Sequence, residues 1–341
     1  MSKKNEGIHS PVTSIDVAHR AGVSQSAVSL VFGQKAAGRV SEKTRAAILR
    51  AAQELGYRPN RAARTLRSGR SRLVALAVPD VSNPYFAAVL QGAERAARKY
   101  GYAVMLAHVR DEQDWQPIVL DALTSWAVDG FLLCTLQPPT AKDLAALQGK
   151  AVLVDAFSTE LPSLRLDIEA GMQAAMTHLL KLGHRKIAHL GAAVDAETFH
   201  LRHRAYVGAL QQAGCAVVDA YHVQAAFTIP AAYEAALHVL GSADPPSALV
   251  SDSDVLAVGV YKAAKELQRV IPQELSVVSF DDSVIAHILD PELTTVAIPA
   301  SMIGEQAFQL LAALLEHTDA PSQITIPLEL IIRASTAEAR S

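Results

Sequence analysis

Between Leu73 and Asp282 the sequence keeps one rhythm: a short aliphatic run, then a longer stretch whose apolar residues recur at helical spacing. The runs are LVALAVP from Leu73, AVMLAHV from Ala103, DGFLLC from Asp129, AVLVDA from Ala151, LRLD from Leu164, KIAHLG from Lys186, VVDAYHV from Val217, SALVSD from Ser247 and SVVSFDD from Ser276. Most are continuously apolar rather than alternating, which is how strands read when helices cover both faces of a parallel sheet. The intervening spacing points to helices over 86–100, through 178–182, ending near Gly214, and over 231–240 and 261–267. The series breaks at Pro162 and restarts, so the expected α/β body has two doubly wound lobes. Ligands of such folds sit at the carboxyl ends of the strands, here between the lobes.

Residues before Leu73 do not share this rhythm, and charge separates them as well. Residues 1–72 hold 14 Lys/Arg against 4 Asp/Glu, a net +10, whereas 73–341 hold 17 against 30, a net −13. The overall −3 is an average over two unlike parts. A small basic head on a large acidic body is the footprint of a nucleic-acid-binding module, although a solvated basic tail has the same composition. Half of the residues are hydrophobic, which excludes a disordered chain. No apolar run approaches the ~20 residues of a membrane helix, and MSKKNEGIHS lacks the apolar core of a signal peptide. Two distant cysteines, Cys134 and Cys215, imply no disulfide framework and favour a reducing compartment. A cytoplasmic protein without a membrane partner is expected.

Within the head, Thr13-Ser-Ile-Asp16 has capping-box spacing and opens a helix bearing Ile15, Val17 and Ala18. Gly22 can take the positive φ of a tight turn. Ser24 then caps a second helix from Gln25 to about Phe32, with Val28 and Val31 inward. Small Ala18 and Gly22 allow two short helices to cross steeply, the helix-turn-helix pattern. Ser41 starts a third helix with Ala47, Ile48, Ala51, Ala52 and Leu55 on its apolar face, and Gly56 stops it. Gln25, Ser26 and Ser29 face outward, with side chains suited to base edges and phosphates. Arg20, Lys35, Arg39, Lys43, Arg45 and Arg50 surround them. Double-stranded DNA is therefore the expected partner, with Thr13, Ser24, Gln25, Ser26 and Ser29 as contacts. Pro59 ends the third helix, and Asn60 can cap a short basic one with Ala62, Ala63 and Leu66 on one face and Arg61, Arg64 and Arg67 around the rest. So little apolar area makes it marginal alone. A flexible basic linker is the alternative.

VTSIDVAHRAGVSQSAVSLVFGQ, VSEKTRAAIL and ELGYRPNRAARTLRSGRS, in that order, resemble the headpiece and hinge of the LacI/GalR (lactose/galactose repressor) transcription regulators. VPDVSNPYFAAVLQGAE, GHRKIAHLG, LTTVAIPASMIGEQAFQLL and IPLELIIRAST are similar to that family's effector domain, which is like periplasmic sugar-binding proteins. The resemblance spans roughly 12–336. It implies an all-α headpiece at 1–58, a hinge at 59–71 and a two-lobed effector domain with parallel sheets at 72–341. Family connectivity implies lobe one at about 73–162 and 293–321, and lobe two at about 163–292 and 322–336, with the last strand near 324–333. In the family the hinge folds on operator DNA and a leucine wedges into the minor groove. The matching residue is Leu66, so Asn60, Ala63, Leu66 and Arg67 join the DNA-contacting set. Leu30 and Gly33 depart from the pattern, where many members carry Arg and Asn. A bidentate arginine–guanine contact from position 30 is absent, and no family operator sequence carries over.

The resemblance also implies effector contacts. Asn83, Tyr85 and Phe86 follow the first strand, where an aromatic can stack on a sugar or base; Phe86 reads equally well as core. Arg202 matches the arginine that grips effectors in relatives, with Arg204 second. Phe227 matches an aromatic cleft position, and Asp281 matches a carboxylate that binds effector hydroxyls or amines. Asp254 also follows a strand end but reads as well as a helix N-cap. An arginine opposed to a carboxylate beside an aromatic face suits a polyhydroxylated molecule, a sugar or sugar derivative first and a nucleoside or purine second. Paired heads, and a tail ASTAEARS without leucine heptads, imply a homodimeric, effector-controlled repressor.

Enzyme readings find little support. PDVSNPYF has no glycine for a dinucleotide turn, and neither a phosphate-loop G-x-x-x-x-G-K-[ST] nor a G-x-S-x-G elbow occurs. Neither catalysis nor a cofactor is expected. His200 and His203 read as surface histidines, and His178, His184 and His189 as structural, so no metal site is expected either. A periplasmic-type solute-binding or sensor protein is the alternative function. It leaves the basic head unexplained.

Overall fold

The computed structural model of the chain describes residues 12–33, 36, 38–57, 69–109, 128–134, 147–156 and 158–340. The chain divides into two compact units, Met1–Ser71 and Arg72–Ser341.

The first unit contains helices α1 (Ser14–Ala21), α2 (Gln25–Phe32) and α3 (Glu42–Glu54). Thr13 closes a reciprocal capping box: its hydroxyl accepts from the Asp16 amide, and the Asp16 carboxylate accepts from the Thr13 amide at 2.8 Å and hydroxyl at 2.7 Å. Those bonds hold the Asp16 pKa below its usual value. Gly22 takes φ 65° at the turn, and Ser24 and Ser41 cap the next two helices. Val17, Ala18, Val28, Ile48, Ala51 and Ala52 form the small core, with Val31 and Leu55 partly buried against it. An Arg20–Glu54 ion pair at 2.5 Å ties α1 to α3. Residues 59–68 of the expected hinge, including Asn60, Ala63, Leu66 and Arg67, lie outside the described residues, as do most of the residues between the AVMLAHV and DGFLLC runs and between DGFLLC and AVLVDA.

The second unit carries two six-stranded sheets. Sheet one comprises β1 (Leu73–Val78), β2 (Ala103–His108), β3 (Gly130–Leu133), β4 (Ala151–Val154), β5 (Ser163–Leu166) and β11 (Gln323–Ile326), in the order β11-β5-β4-β3-β1-β2. Sheet two comprises β6 (Ile187–Ala192), β7 (His222–Ala225), β8 (Ala248–Ser251), β9 (Ser276–Asp281), β10 (Thr294–Ala297) and β12 (Glu329–Ile331), in the order β12-β10-β9-β8-β6-β7. Among the described residues every strand pairing is parallel except β10 with β12. The helices are α4 (Pro84–Lys99), α5 (Ile168–Lys181), α6 (Glu197–Gln212), α7 (Ile229–Leu240), α8 (Asp254–Glu266), α9 (Val284–Ile288) and α10 (Ala300–Leu315). Val74, Leu76 and Val78 of β1 join the core with α4 and α10, while Ala75 and Ala77 face a second cluster on the other side. Burial on both faces is what makes LVALAV a continuous apolar run.

Three expected boundaries are corrected. The break in rhythm at Pro162 points to lobe two for residues 163–166, but β5 pairs with β4 and β11 in sheet one. Proline lacks a donor yet keeps its carbonyl, and Pro162 accepts from the Leu153 amide at 2.9 Å, so it joins the strands rather than separating lobes. Residues 293–297 do not return to lobe one: β10 pairs with β9, and the return begins with α10. The single last strand expected near 324–333 is two strands, β11 in sheet one and β12 in sheet two. The expected strand at 217–223 is displaced as well. Val217 and Val218 are exposed, Asp219–Tyr221 form a 3-10 turn, and β7 starts at His222.

Helices α4 and α10 meet backbone to backbone. A Cβ added at Gly92 would lie 1.8 Å from the Ser301 carbonyl oxygen, and one at Gly304 would lie 1.9 Å from that of Val89. No helix among the described residues is long and apolar enough to cross a membrane.

Candidate functional site

On the head, Thr13, Ser24, Gln25 and Ser26 are exposed and Ser29 is half-buried. Thr13 and Ser24 already serve their helices as caps. Ser24 Oγ accepts from the Ala27 amide at 3.2 Å and lies 2.8 Å from Ser26 Oγ. Gln25 Nε2 donates to Ser14 Oγ at 3.0 Å, linking α2 to the start of α1. The amide retains a second donor hydrogen and its acceptor oxygen for a base edge. Arg39, Lys43 and Arg50 are exposed nearby, Lys35 is outside the described residues, and Arg45 sits 3.5 Å from Glu42.

In the body, the candidates separate by what their polar atoms already do. Asn83 is the N-cap of α4: its Oδ1 accepts from the Tyr85 amide at 2.9 Å. Tyr85 and Phe86 make an edge contact with ring centroids 5.0 Å apart. Phe86 is partly buried against the core, the reading its sequence position left open. The Tyr85 hydroxyl is buried without a hydrogen-bond partner. Its pKa is pushed well up by burial and then by Asp155, Cys134 and Asp281, with Arg202 opposing. Charged groups of both lobes therefore act on one hydroxyl.

Arg202, on α6, is 3% exposed. One Nη donates to the Asp252 carbonyl, the guanidinium lies 4.3 Å from the Phe280 ring centre and 5.2 Å from that of Phe199, and Nε has no partner. Phe227 stands one ring further out, 6.4 Å from Phe199. Asp281 ends β9 with φ 113°, followed by Asp282 at φ 56°. Such values are costly for a residue with a Cβ and persist where the surroundings enforce them. Here an Arg333–Asp282 ion pair at 2.6 Å and a Ser253 hydroxyl bonded to Asp281 Oδ2 at 2.7 Å hold the corner. Burial raises the Asp281 carboxyl pKa, with Asp254 adding to the rise and Arg202 opposing it.

Two expected effector contacts are corrected. Asp254 is buried with both oxygens engaged: Oδ2 accepts from the Ser283 amide at 2.7 Å and hydroxyl at 3.0 Å, and Oδ1 from Thr295 Oγ1 at 3.0 Å. It ties α8 to the β9–α9 corner and β10, and the N-cap of α8 is Ser253. Arg204, the second-choice arginine, forms an exposed ion pair with Glu197 at 2.8 Å.

Sequence reasoning missed Asp155, at the carboxyl end of β4. Its pKa is raised to about 7, chiefly by burial, with Arg202 opposing. The signal was available, since Asp155 follows the AVLV run directly. The aromatic faces on Arg202, Phe199 and Phe280, were missed as well. His203 is corrected too: it is half-buried rather than on the surface, its ring centroid 3.9 Å from that of His222. His200 is exposed beside Asp195 at 3.3 Å, and His184 is structural, bonded to Ser247 and Ser276.

Tyr85 and Asp155 thus come from lobe one and Arg202 and Asp281 from lobe two, all near the carboxyl ends of parallel strands. The Tyr85 hydroxyl and Arg202 Nε are without hydrogen-bond partners there, beside aromatic faces on the guanidinium. The arrangement can bind a small polar molecule and draw the lobes together around it.

Comparison with known proteins matches two separate segments of the chain to two families. Residues 15–60 match the family model for bacterial regulatory proteins of the lacI family, and residues 176–336 match that for a periplasmic binding protein-like domain. The HTH-type transcriptional repressor CytR of Escherichia coli (strain K12) is 30% identical over 341 residues, covering 98% of each chain. A lac repressor dimer bound to operator and an anti-inducer superposes with a TM-score of 0.85 at 24% identity, over 96% of this chain and all of that one. A complex of the transcriptional regulator CelR with cellobiose matches with a TM-score of 0.71 at 27% identity, over 95% of this chain and 99% of that one.

Proposed function

The chain belongs to the lacI family of bacterial regulatory proteins, a family of DNA-binding transcription regulators rather than enzymes, and from that premise we propose how its operator binding is controlled. The controlling ligand is a small polyhydroxylated molecule, a sugar or sugar derivative first and a nucleoside second. Arg202 and Asp281 grip it from one lobe, and Tyr85 and Asp155 from the other. The supporting observation is the pair of buried polar groups without partners, the Tyr85 hydroxyl and Arg202 Nε, facing carboxylates at a strand-end cleft. A ligand hydroxyl can accept from the Tyr85 hydroxyl and Arg202 Nε and donate to the Asp155 and Asp281 carboxyl oxygens. Cellobiose in the CelR complex supports a sugar.

The protein acts in the cytoplasm as a homodimer, each head offering Gln25, Ser26 and Ser29 to one major-groove half-site. Asn60, Ala63, Leu66 and Arg67 contact the operator between them, with Leu66 in the minor groove. Effector binding closes the cleft and shifts operator affinity by a coupling free energy on the order of 1–3 kcal/mol. A solute-binding protein without DNA binding leaves the three-helix head without a role.

The test is a thermal-shift screen of the full chain against sugars, nucleosides and sugar phosphates, because a ligand of the folded state alone raises stability by mass action. One class is expected to raise Tm for the wild type and to lose that effect in Arg202→Ala. The same shift in both proteins would mean that the ligand binds elsewhere.

A further inference from the structure

A second convergence of titratable side chains lies in lobe two, apart from the four-residue cluster above. β6 and β7 are parallel neighbours, and their register sets His189 beside His222. Alternation along strands sends both imidazoles to one face of sheet two. The same face of β6 presents Ile187, which packs with Tyr206, Ala209 and Leu210 of α6, so α6 covers it. From α6, His203 meets the two strand histidines. Its ring centroid is 3.9 Å from that of His222 and 5.8 Å from that of His189, and the two strand rings are 5.2 Å apart. One ligating nitrogen from each ring lies within 4.8 Å of the other two.

In all three rings Nδ1 is buried and has no hydrogen-bond partner. Packed histidines ordinarily place such atoms against protein groups. His184 does so, with Nδ1 2.8 Å from Ser247 Oγ and Nε2 3.0 Å from both Ser276 Oγ and the Ala337 carbonyl. Three partnerless imidazole nitrogens in one small volume are not explained by packing. His189 is also oriented from behind. Its Nε2 donates to Asp252 Oδ1 at 2.9 Å, while Asp252 Oδ2 accepts from the Ala192 amide at 2.9 Å. With the proton fixed on Nε2, Nδ1 carries the lone pair, and a carboxylate behind a ligating histidine is the usual support of a metal site.

We propose that His189, His203 and His222 form a three-imidazole site for a divalent first-row transition-metal ion of the zinc, cobalt or nickel class, with a further position open to water. Imidazole donors select these ions, whereas magnesium and calcium require oxygen ligands. A tetrahedral ion with nitrogens at about 2.0–2.1 Å holds them roughly 3.3 Å apart, so binding draws the rings together by about an ångström.

The test uses the full-length protein, freed of any affinity tag, stripped with EDTA and titrated with zinc chloride. The wild type is expected to bind one zinc per chain with a raised Tm, and cobalt chloride to give the visible absorption of a tetrahedral nitrogen site. Neither wild-type readout depends on a variant folding. His203→Ala and His222→Ala are each expected to weaken zinc at least tenfold while keeping the far-ultraviolet dichroism of the metal-free wild type. Asp252→Asn is expected to weaken it about 10–100-fold. His200→Ala, on the exposed side of α6, should bind as the wild type does. Absence of stoichiometric zinc in the wild type would overturn the proposal, and so would unchanged affinity in the His203→Ala, His222→Ala double variant.

Discussion

Asp155 and Asp254 look alike in sequence, each an aspartate at the end of a short aliphatic run, yet they do opposite things. Asp254 is saturated by Ser283 and Thr295, whereas at Asp155 burial outweighs the opposing influence of Arg202 and raises the pKa to about 7. What separates them is the set of donors delivered by distant loops, which a linear pattern does not carry. Motif resemblance points to Arg202 and Asp281, whereas Asp155 lies in none of the matched motifs. The raised pKa has a testable sign. Between the unfolded value of 3.8 and about 7, the folded state holds a proton that the unfolded chain has released. Stability is therefore fullest below about pH 4 as far as this group is concerned, and it declines as pH rises through 7. Asp155→Asn keeps the shape and removes the ionisation. Urea unfolding from pH 4 to 8 should show the variant gaining on the wild type as pH rises, and a constant difference would remove the argument.

Elements were more legible than their assembly. The helix caps and turns of the head follow from local chemistry, so Thr13, Gly22, Ser24 and Ser41 mark α1–α3 within the sequence itself. Strand periodicity identifies β5 but carries no information about which sheet it joins, and β10 and β11, placed only through family connectivity, likewise sit across an expected lobe boundary. Long-range packing is equally silent in sequence: Gly92 and Gly208 both interrupt helices, for different reasons. At Gly92 an added Cβ meets the backbone of α10, while at Gly208 it meets nothing within 4 Å. Gly92→Ala should therefore force α4 and α10 apart and cost about 1–3 kcal/mol or more. Gly208→Ala should instead gain up to about 1 kcal/mol from helix propensity. Chemical denaturation of both variants decides it, and equal effects would mean that the close helix contact is not what Gly92 serves.

At the scale of the whole molecule, the division at Ser71 coincides with the reversal of charge, from +10 over 1–72 to −13 over 73–341. The two parts therefore respond to DNA with opposite signs. Phosphate contacts by the head release counterions, so operator affinity should fall linearly in log–log form with salt, by roughly 10³–10⁵ between 50 and 200 mM if about 6–10 phosphates are neutralised. Repulsion of the body is screened over the same range, since the Debye length drops below about 10 Å above 0.1 M. That relief opposes the loss from the head and should flatten the slope of the full chain relative to the head's own contacts. Neutralising acidic residues on the body, far from any DNA contact, should then raise affinity most at low salt and leave it unchanged near 1 M. The isolated body, residues 72–341, should bind no DNA at any salt while still binding effector. Fluorescence anisotropy with a labelled operator separates these outcomes. DNA binding by the isolated body would place contacts on an acidic surface, where the charge distribution leaves no electrostatic means of holding a duplex.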